Sequence, residues 1–586
     1  MSDLSADALF IRLVECGPGH LLPVALACRL QRRLNICKDG IRNTGARQWK
    51  LRALAFVAGA LIVCAFACGF ASAAVTLPCP TRNHPGIPND PPCQPGFPSA
   101  LTELGNDRVG PSSPTISDLN GDGDPEIVFG TEGGRVVAVR SNGTLLWTYD
   151  TGAVPVQSKA AIADIDGDGL VEVVVGVGSP SFNGGGIYVL SNTGQLQCSF
   201  TALNPAHPQG MYSSPAVGRL DPSQPTKMQI AVASFDFKFR VLRHDCSVWW
   251  EKGVQEYVVD SIWSSPSIVD LDRNGTMDIV VGADSNFHQL PGITLPDGGL
   301  LRAMHGNGSG ELPGFPKLYD EVIYSSPAIG DIRGIGEVAI TIGSGRCWDM
   351  PSCAVVHPVT KQMLGVQSNG QDLPGWPVAT PAESSRVASP ALAKFSGVNG
   401  LVSVINNLRN DDETGVVHAI QPNGVELPGW PREPSIAADC VGNSWHYGTQ
   451  ASPVVANLLG DTDPEIILPA ANEFVIWNRA GQQLTAATGC PIPAGTLNLS
   501  TNSDAFFNSA AVADIDRNGR LEVIGAGTNS NVPGQSGSFV TVYAWTFNSS
   551  TADPRLMDWP MFRRDAINGG VYLPDLIFTN GFELTP

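Results

Sequence analysis

The sequence predicts an all-β fold, a β-propeller of about eight four-stranded blades, and three observations carry that reading. A strand–turn–strand pattern recurs eight times from residue 112 onward. Glycine (64) and proline (46) are abundant without a strict period, which excludes collagen and suits turn-dense β structure. Apolar residues make up 43% of the chain, enough to provide a large core.

Each repeat opens on Ser-Ser-Pro or a variant, passes through a short apolar strand into an acidic turn, and enters a second strand. The units are 112–130, 158–176, 213–233, 264–282, 325–343, 388–405, 451–469 and 508–527. Their turns open at Asp118, Asp164, Arg219, Asp270, Asp331, Lys394, Asn457 and Asp514, at spacings from 46 to 63 residues. That spread suits a core motif with variable loops better than the regular rungs of a β-solenoid. A third strand follows glycine at 133–139, 184–190, 298–304, 415–420 and 537–545. Asn-Gly turns at 142–143, 307–308, 369–370 and 423–424 then lead into a fourth element. Both residues tolerate the positive φ of a tight hairpin. The fourth element closes on an aromatic in LLW (145–147), LPGFP (312–316), LPGWP (373–377 and 427–431) and DWPMF (558–562). A lone four-stranded sheet leaves apolar faces bare, and radial stacking buries them. A seven-bladed ring with one aberrant unit is the alternative closure.

The ends divide from this core. Residues 1–50 form an N-terminal extension without repeats. In 51–74, basic Arg47, Lys50 and Arg52 precede or enter an apolar run that ends in Ala-Ser-Ala-Ala, the layout of a cleaved export signal. A retained membrane anchor is the competing reading, since the run nearly suffices to span a bilayer. Residues 75–111, rich in Pro and Gly, read as a lead-in, 112–565 as the propeller and 566–586 as a C-terminal tail. Eight cysteines follow the presumed cleavage point, an even number that fits disulfides in an exported chain. Proximity favours Cys79–Cys93 and Cys347–Cys353, and Cys198 and Cys246 occupy equivalent positions of adjacent repeats. The formal net charge of −19 opposes a nucleic-acid partner.

Four acidic turns carry a common oxygen pattern. The first has Asp118, Asn120, Asp122, Asp124 and Glu126, with side-chain oxygens at positions 1, 3, 5 and 9 and a backbone carbonyl expected from position 7. The others are Asp164, Asp166, Asp168, Leu170 and Glu172; Asp270, Asp272, Asn274, Thr276 and Asp278; and Asp514, Asp516, Asn518, Arg520 and Glu522. Calcium takes six to eight hard oxygens at roughly 2.3–2.6 Å in a flexible shell, whereas Mg²⁺ demands a tight octahedron. The pattern therefore predicts about four Ca²⁺ sites. An EF-hand is excluded because the last acid stands at position 9 and β-type segments flank the loop. The bland alternative is an Asp/Gly turn closed by its own side-chain-to-backbone bonds. Elsewhere the ligands are missing: Arg219 opens the third turn, Arg333 and Ile335 occupy the fifth, Lys394 and Val398 the sixth, and Leu459 interrupts the seventh.

The sequences DLNGDGDPEIVFG, DIDGDGLVEVVVG, DLDRNGTMDIVVG and DIDRNGRLEVIGAG resemble the FG-GAP/VCBS repeat family, which includes the integrin α-subunit propeller and many exported bacterial proteins. The resemblance spans roughly 112–565 and implies calcium in the acidic loops and a role in adhesion or ligand recognition. Family members usually have seven blades, so eight is a departure. No nucleophile elbow, zinc-protease helix or phosphate loop is present. His357 and His418 share a strand position, which points to a repeated packing role. Trp249, Trp250, Trp263, Trp348, Trp376, Trp430, Trp445 and Trp477 are candidate sugar platforms, with Trp376 and Trp430 better placed for inter-blade packing and Trp348 and Trp445 in insertions. Two functions compete. The first is a calcium-stabilised, exported scaffold that recognises a surface protein or glycan, contacting membrane only if the apolar segment is retained. The second is a secreted polysaccharide-active enzyme such as a lyase, which needs an acid and a base converging near a metal; His446 and Lys394 are far apart in sequence.

Overall fold

Because the apolar residues of each repeat alternate onto both sheet faces, every sheet needs a neighbour on either side, and eight of them close into a ring. The computed structural model describes residues 74–79, 91–179, 184–202, 209–253, 262–285, 298–345, 362–380, 383–385, 388–409, 415–435, 451–485, 506–572, 578–579 and 583–584. Blade 1 comprises Thr115–Ser117, Glu126–Gly130, Arg135–Val139 and Leu145–Asp150, paired antiparallel in that order. Blades 2, 3 and 4 repeat this layout from Ala161–Ala163, Ala216–Gly218 and Ser267–Val269, and blade 5 from Ala328–Gly330. Blades 6, 7 and 8 begin at Ala391–Ala393, Val454–Ala456 and Ala511–Ala513. Blade 7 has three strands, the fourth place being marked by a single bridge from Trp477 to Gln483. The inner strands follow one another in sequence order, with Val571–Tyr572 set between those of blades 4 and 5, and that of blade 8 lies beside that of blade 1. The molecule is an eight-bladed propeller.

The period of two sets the core. In the second strand of blade 1, Ile127 and Phe129 pack with Ile524 and Val540 of blade 8, while Val128 packs with Ile162 and Val173 of blade 2. All three are fully buried. The outer strand Leu145–Asp150 is half-exposed, as an edge facing water should be.

The Ser-Ser-Pro signature has two separate jobs. The first serine closes its own blade: Ser112, Ser158, Ser264 and Ser325 accept from the N–H of Gly130, Gly176, Gly282 and Gly343 at 2.8–3.2 Å. The second joins blades. The N–H of Ser214 donates to Ser265 Oγ, Ser265 to Ser326, Ser326 to Ser389, Ser389 to Ser452, Ser452 to Ser509 and Ser509 to Ser113, at 2.8–3.0 Å. Lys159 stands in the belt at blade 2; its N–H donates to Ser214 Oγ.

The lead-in differs from expectation. Ser99–Ala100 pairs antiparallel with Phe539–Phe547, and Val75–Thr76 pairs in turn with Ser99–Ala100. Residues of 75–111 are thus the outer strands of blade 8, and the ring closes by joining the two ends of the chain. The sequence signal is Pro95-Gly96-Phe97-Pro98, which matches the outer motifs at 313–316, 374–377 and 428–431. All four share a cis X-Pro bond and a positive-φ glycine. A Cβ on Gly96, Gly314, Gly375 or Gly429 would stand 2.0–2.1 Å from a turn carbonyl of the next blade. The aromatic of the motif serves the same junction: Trp376 Nε1 donates to Pro422 O at 3.0 Å and Trp430 Nε1 to Arg479 O at 2.9 Å. Trp147 and Trp250 do likewise to Asn192 O and Gly306 O.

DWPMF also differs. It forms no outer strand; residues 556–572 run through the middle of the ring as a plug. Trp559 exchanges backbone hydrogen bonds with Val455, and the amides of Val512, Ile162, Val217 and Ile329 donate to Pro560, Ala566, Ile567 and Gly570. Arg563 donates to Pro266 O at 2.9 Å, and Lys159 Nζ to Asp565 O at 2.9 Å and Asn568 Oδ1 at 2.7 Å. The segment read as a tail from 566 therefore belongs, up to Tyr572, to this plug. Cys79–Cys93 and Cys198–Cys246 are disulfides; Cys347 and Cys353 lie outside the described residues. His418 is buried and pairs with Glu426, whereas His357 lies outside them.

Deleting residues 553–586 strips partners from buried amides in blades 2, 3, 5, 7 and 8, each costing about 1–3 kcal/mol. The truncated protein is expected to lose its cooperative melt in calorimetry. Trp376→Phe, which keeps the ring and removes one indole bond, should cost about 1 kcal/mol, against about 3–5 kcal/mol for Trp376→Ala, measured by denaturant unfolding.

Candidate metal centres

All the acidic turns sit at one end of the ring, between the first and second strands of their blades. In each intact turn the position-1 aspartate closes the curl. Asp118 accepts from Gly121 and Gly123 N–H, Asp164 from Gly167 and Gly169, Asp270 from Asn274 and Gly275, and Asp514 from Asn518 and Gly519, at 2.6–3.0 Å. The position-9 acid opens the second strand and is buried there. One of its oxygens accepts the N–H of position 2: Leu119, Ile165, Leu271 and Ile515 at 2.9–3.1 Å. The loop thus holds two carboxylates by backbone bonds and leaves oxygens directed inward.

In three blades a third carboxylate joins them. Asp164, Asp166 and Glu172 in blade 2, Asp270, Asp272 and Asp278 in blade 4, and Asp514, Asp516 and Glu522 in blade 8 each bring oxygens within 4.8 Å of one another. Blade 1 has Asn120 at position 3, and its amide donates to Glu126 Oε1 at 2.9 Å. The Arg517 guanidinium of blade 8 also stands 3.9 Å from Asp118 and 4.0 Å from Asp124. The four expected sites are therefore three acidic trios and one loop whose third position is an amide.

Position 5 also closes the turn. Asp122, Asp168, Asn274 and Asn518 each turn back to accept the N–H of position 7, in Asp124, Leu170, Thr276 and Arg520, at 2.8 Å. This is the Asx-type bond that Asp and Asn form readily in turns.

Burial, followed by repulsion from neighbouring aspartates, pushes the position-9 acids up. Glu126, Glu172 and Glu522 reach about 7 and Asp278 about 6. Glu522 is fully buried and its Oε1 has no hydrogen-bond partner. A divalent cation fits this donor set, because hard oxygens of like charge are gathered around one buried carboxylate at the mouth of each turn. In blade 3, Gln229 Oε1 takes over the bond to the Leu220 N–H at 2.7 Å, and Arg219 replaces the first aspartate. Lys394 of blade 6 is exposed; its backbone N–H bonds Asp558 of the plug. His446 lies outside the described residues.

With the architecture and loops in place, comparison with known proteins is direct. Residues 118–175 match the FG-GAP-like repeat. No curated protein matches the sequence. Among solved structures, the V. cholerae biofilm matrix protein Bap1 is similar at a TM-score of 0.52 and 13% identity, over 83% of this chain and 96% of that one. The Bacillus licheniformis rhamnogalacturonan lyase PL11 is similar at a TM-score of 0.48 and 13% identity, over 87% and 83%. At such identity the likeness is one of fold.

In the metal-free protein the raised acids hold protons that the unfolded chain releases near pH 3.8 for Asp278 and pH 4.5 for the glutamates. Their contribution to stability is fully present below those values and is lost as pH rises through about 6 to 7. The melting temperature of chelated protein should fall between pH 5 and 8, and calcium should flatten the profile. Parallel melts with and without chelator check this.

Proposed function

We propose that this protein is an exported, calcium-stabilised propeller that serves as a scaffold for recognising a surface protein or a glycan. The observation that carries the reading is the recurrence of one acidic trio at equivalent turns of blades 2, 4 and 8. A single Asp-rich turn is a common solution to a tight bend. Three that each set two aspartates against one buried acid are costly unless a cation offsets the charge. On this reading Asp118, Asn120 and Glu126 hold a fourth, weaker ion. Each ion pins the turn between two strands and stabilises the folded state by linkage, about 2.7 kcal/mol per site when free calcium is a hundred times the Kd.

Export is supported by the two disulfides, Cys79–Cys93 and Cys198–Cys246, which persist in oxidising compartments. The reading also takes the repeats as kin to VCBS repeats and to the integrin α propeller. The lyase alternative needs an acid and a base converging in one groove. Among the described residues lining the axial opening there is no lysine, arginine, histidine or carboxylate. Tyr212 lies there, but burial holds its hydroxyl well above the ordinary range, so it stays protonated.

The test is a metal count on calcium-loaded, desalted protein together with melts before and after chelation. Three tightly held ions, a fourth that exchanges readily, and a lower melting temperature after chelation are expected. Asp164→Ala should remove one tight ion and leave the others. A protein that retains no calcium and melts identically with chelator would overturn the reading.

A further inference from the structure

The end of the ring opposite the acidic turns opens on the axis as a shallow pit. Its walls are the belt of serines and the residue immediately before each Ser-Ser pair; Phe562 of the plug also lines it. Because the repeat places this residue of blades 1 to 5 and 8 at the rim, those blades act as controls for one another. Blades 1 and 2 have Pro111 and Gln157 there, so the position does not require an aromatic. Blades 3, 4 and 5 have Tyr212, Trp263 and Tyr324, and blade 8 has Phe507.

Those aromatics are neither scattered nor fully consumed by the core. Trp263 lies 5.0 Å from Tyr212 and 5.1 Å from Tyr324 between ring centroids, and Phe235 packs edge-on behind it at 5.1 Å. Tyr212 and Trp263 are half-buried and Phe507 is 44% exposed, while Tyr324 is buried at the inner end of the row. The result is a continuous aromatic shelf along one side of the mouth with an isolated ring from blade 8.

Beneath the shelf lies a second, independent feature. Each belt serine, from Ser113 to Ser509, accepts one N–H from its neighbour. Among the described residues none of these seven hydroxyls donates to a protein acceptor, and all seven are buried around the pit. A buried O–H normally finds an acceptor. Seven unspent donors around one opening call for a ligand, or bridging waters, rich in acceptor oxygens.

We propose that the axial mouth binds a neutral saccharide, laid across the Tyr212–Trp263–Tyr324 shelf with its hydroxyl oxygens turned to the serine belt. This rests on the recognition-scaffold reading and names its ligand class and site. Sugar rings present an apolar C–H face that suits an aromatic surface and a polar edge that accepts hydrogen bonds. The enclosed space is about 50 Å³, enough for one or two waters, so the sugar lies over the mouth and does not descend into it. Neutrality follows from charge: among the described residues no cation lines the pit, and a chain of net charge −19 repels uronates.

The experiment is isothermal titration of the full, calcium-loaded protein with cellohexaose, mannohexaose and hexagalacturonate. Binding of a neutral hexamer is expected, weakened at least tenfold by Trp263→Ala and severalfold by Phe507→Ala, with calcium count and melting temperature unchanged. Phe507, being exposed, keeps the test alive should the Trp263 variant fold poorly. Binding confined to the galacturonate, no heat from either neutral hexamer at millimolar concentration, or an affinity indifferent to both variants overturns the proposal. Absence of saccharide binding in a protein whose melt still responds to calcium removes this site and leaves the scaffold reading standing; a melt insensitive to calcium removes the latter independently.

Discussion

A sheet that is apolar on both faces cannot stand alone, and this constraint governs the rest of the molecule. Ile127 and Phe129 need blade 8 while Val128 needs blade 2, so burial of one strand already commits three blades. Repeated eight times, that requirement is met only if the ring closes. Closure is where a linear chain is most exposed, because the joining surfaces belong to its two ends. Here the early segment supplies the outer strands of the last blade. Gln94 then ties the seam at side-chain level, donating to Asp516 at 2.6 Å and accepting from Thr546 at 2.7 Å. The plug adds a hub, so that blades distant in the ring share one central segment. Closure and plug both exchange non-local contacts for a ring without a free sheet face.

The metal loops are distributed in a way that bears on the same seam. Blades 8, 1 and 2 are contiguous, and their loops hold the last, first and second acidic turns. Asp516 is both a member of the blade 8 trio and the acceptor for Gln94. Arg517, one residue on, reaches across to Asp118 and Asp124 of blade 1. A cation that ordered the blade 8 loop would therefore order the groups that fasten the first blade to the last. Blades 5, 6 and 7 have no comparable trio among the described residues and rest on a shared apolar cluster that includes Trp376, Trp430, Trp477 and Trp559.

What the sequence revealed follows the same division between local and distant information. Blade number, strand order and the Asn-Gly hairpins were legible because each is encoded within one repeat. The seam was not. Its strand is two residues long, carries no acidic turn and pairs with a strand more than 400 residues away; its one clue is the Pro-Gly-Phe-Pro run at 95–98. DWPMF was misread because it shares the aromatic-proline signature of the outer strands, yet it lacks the Pro-Gly that precedes the aromatic in the other motifs. In the loops, the acids at positions 1, 3 and 9 were legible as one cluster in blades 2, 4 and 8, because the curl of a short turn brings them together. The rim aromatics were visible as residues, but their convergence on the axis depends on ring closure, which no single repeat contains.

The degraded loops supply the strongest argument about the intact ones. Position 9 has a structural duty in every loop that keeps an oxygen there: it holds the amide of position 2. Glu465 does this in blade 7 at 2.7 Å, and Gln229 does it in blade 3 at the same distance without any charge. A neutral amide thus suffices for the bend. Asp331 of blade 5 still closes its curl by accepting from Ile335 and Gly336, though no acid follows at the start of the second strand. The turn therefore survives loss of either carboxylate. Burial raises the position-9 acid to about 6 or 7 in blades 2, 4 and 8 and to about 8 in blade 7, and what sets the first three apart is the pair of aspartates gathered against it. Geometry does not demand that charge. The acidic trios of blades 2, 4 and 8 have the donor set a divalent cation takes, and the contrast between Gln229 and Glu522 in one chain separates that capacity from the bend itself.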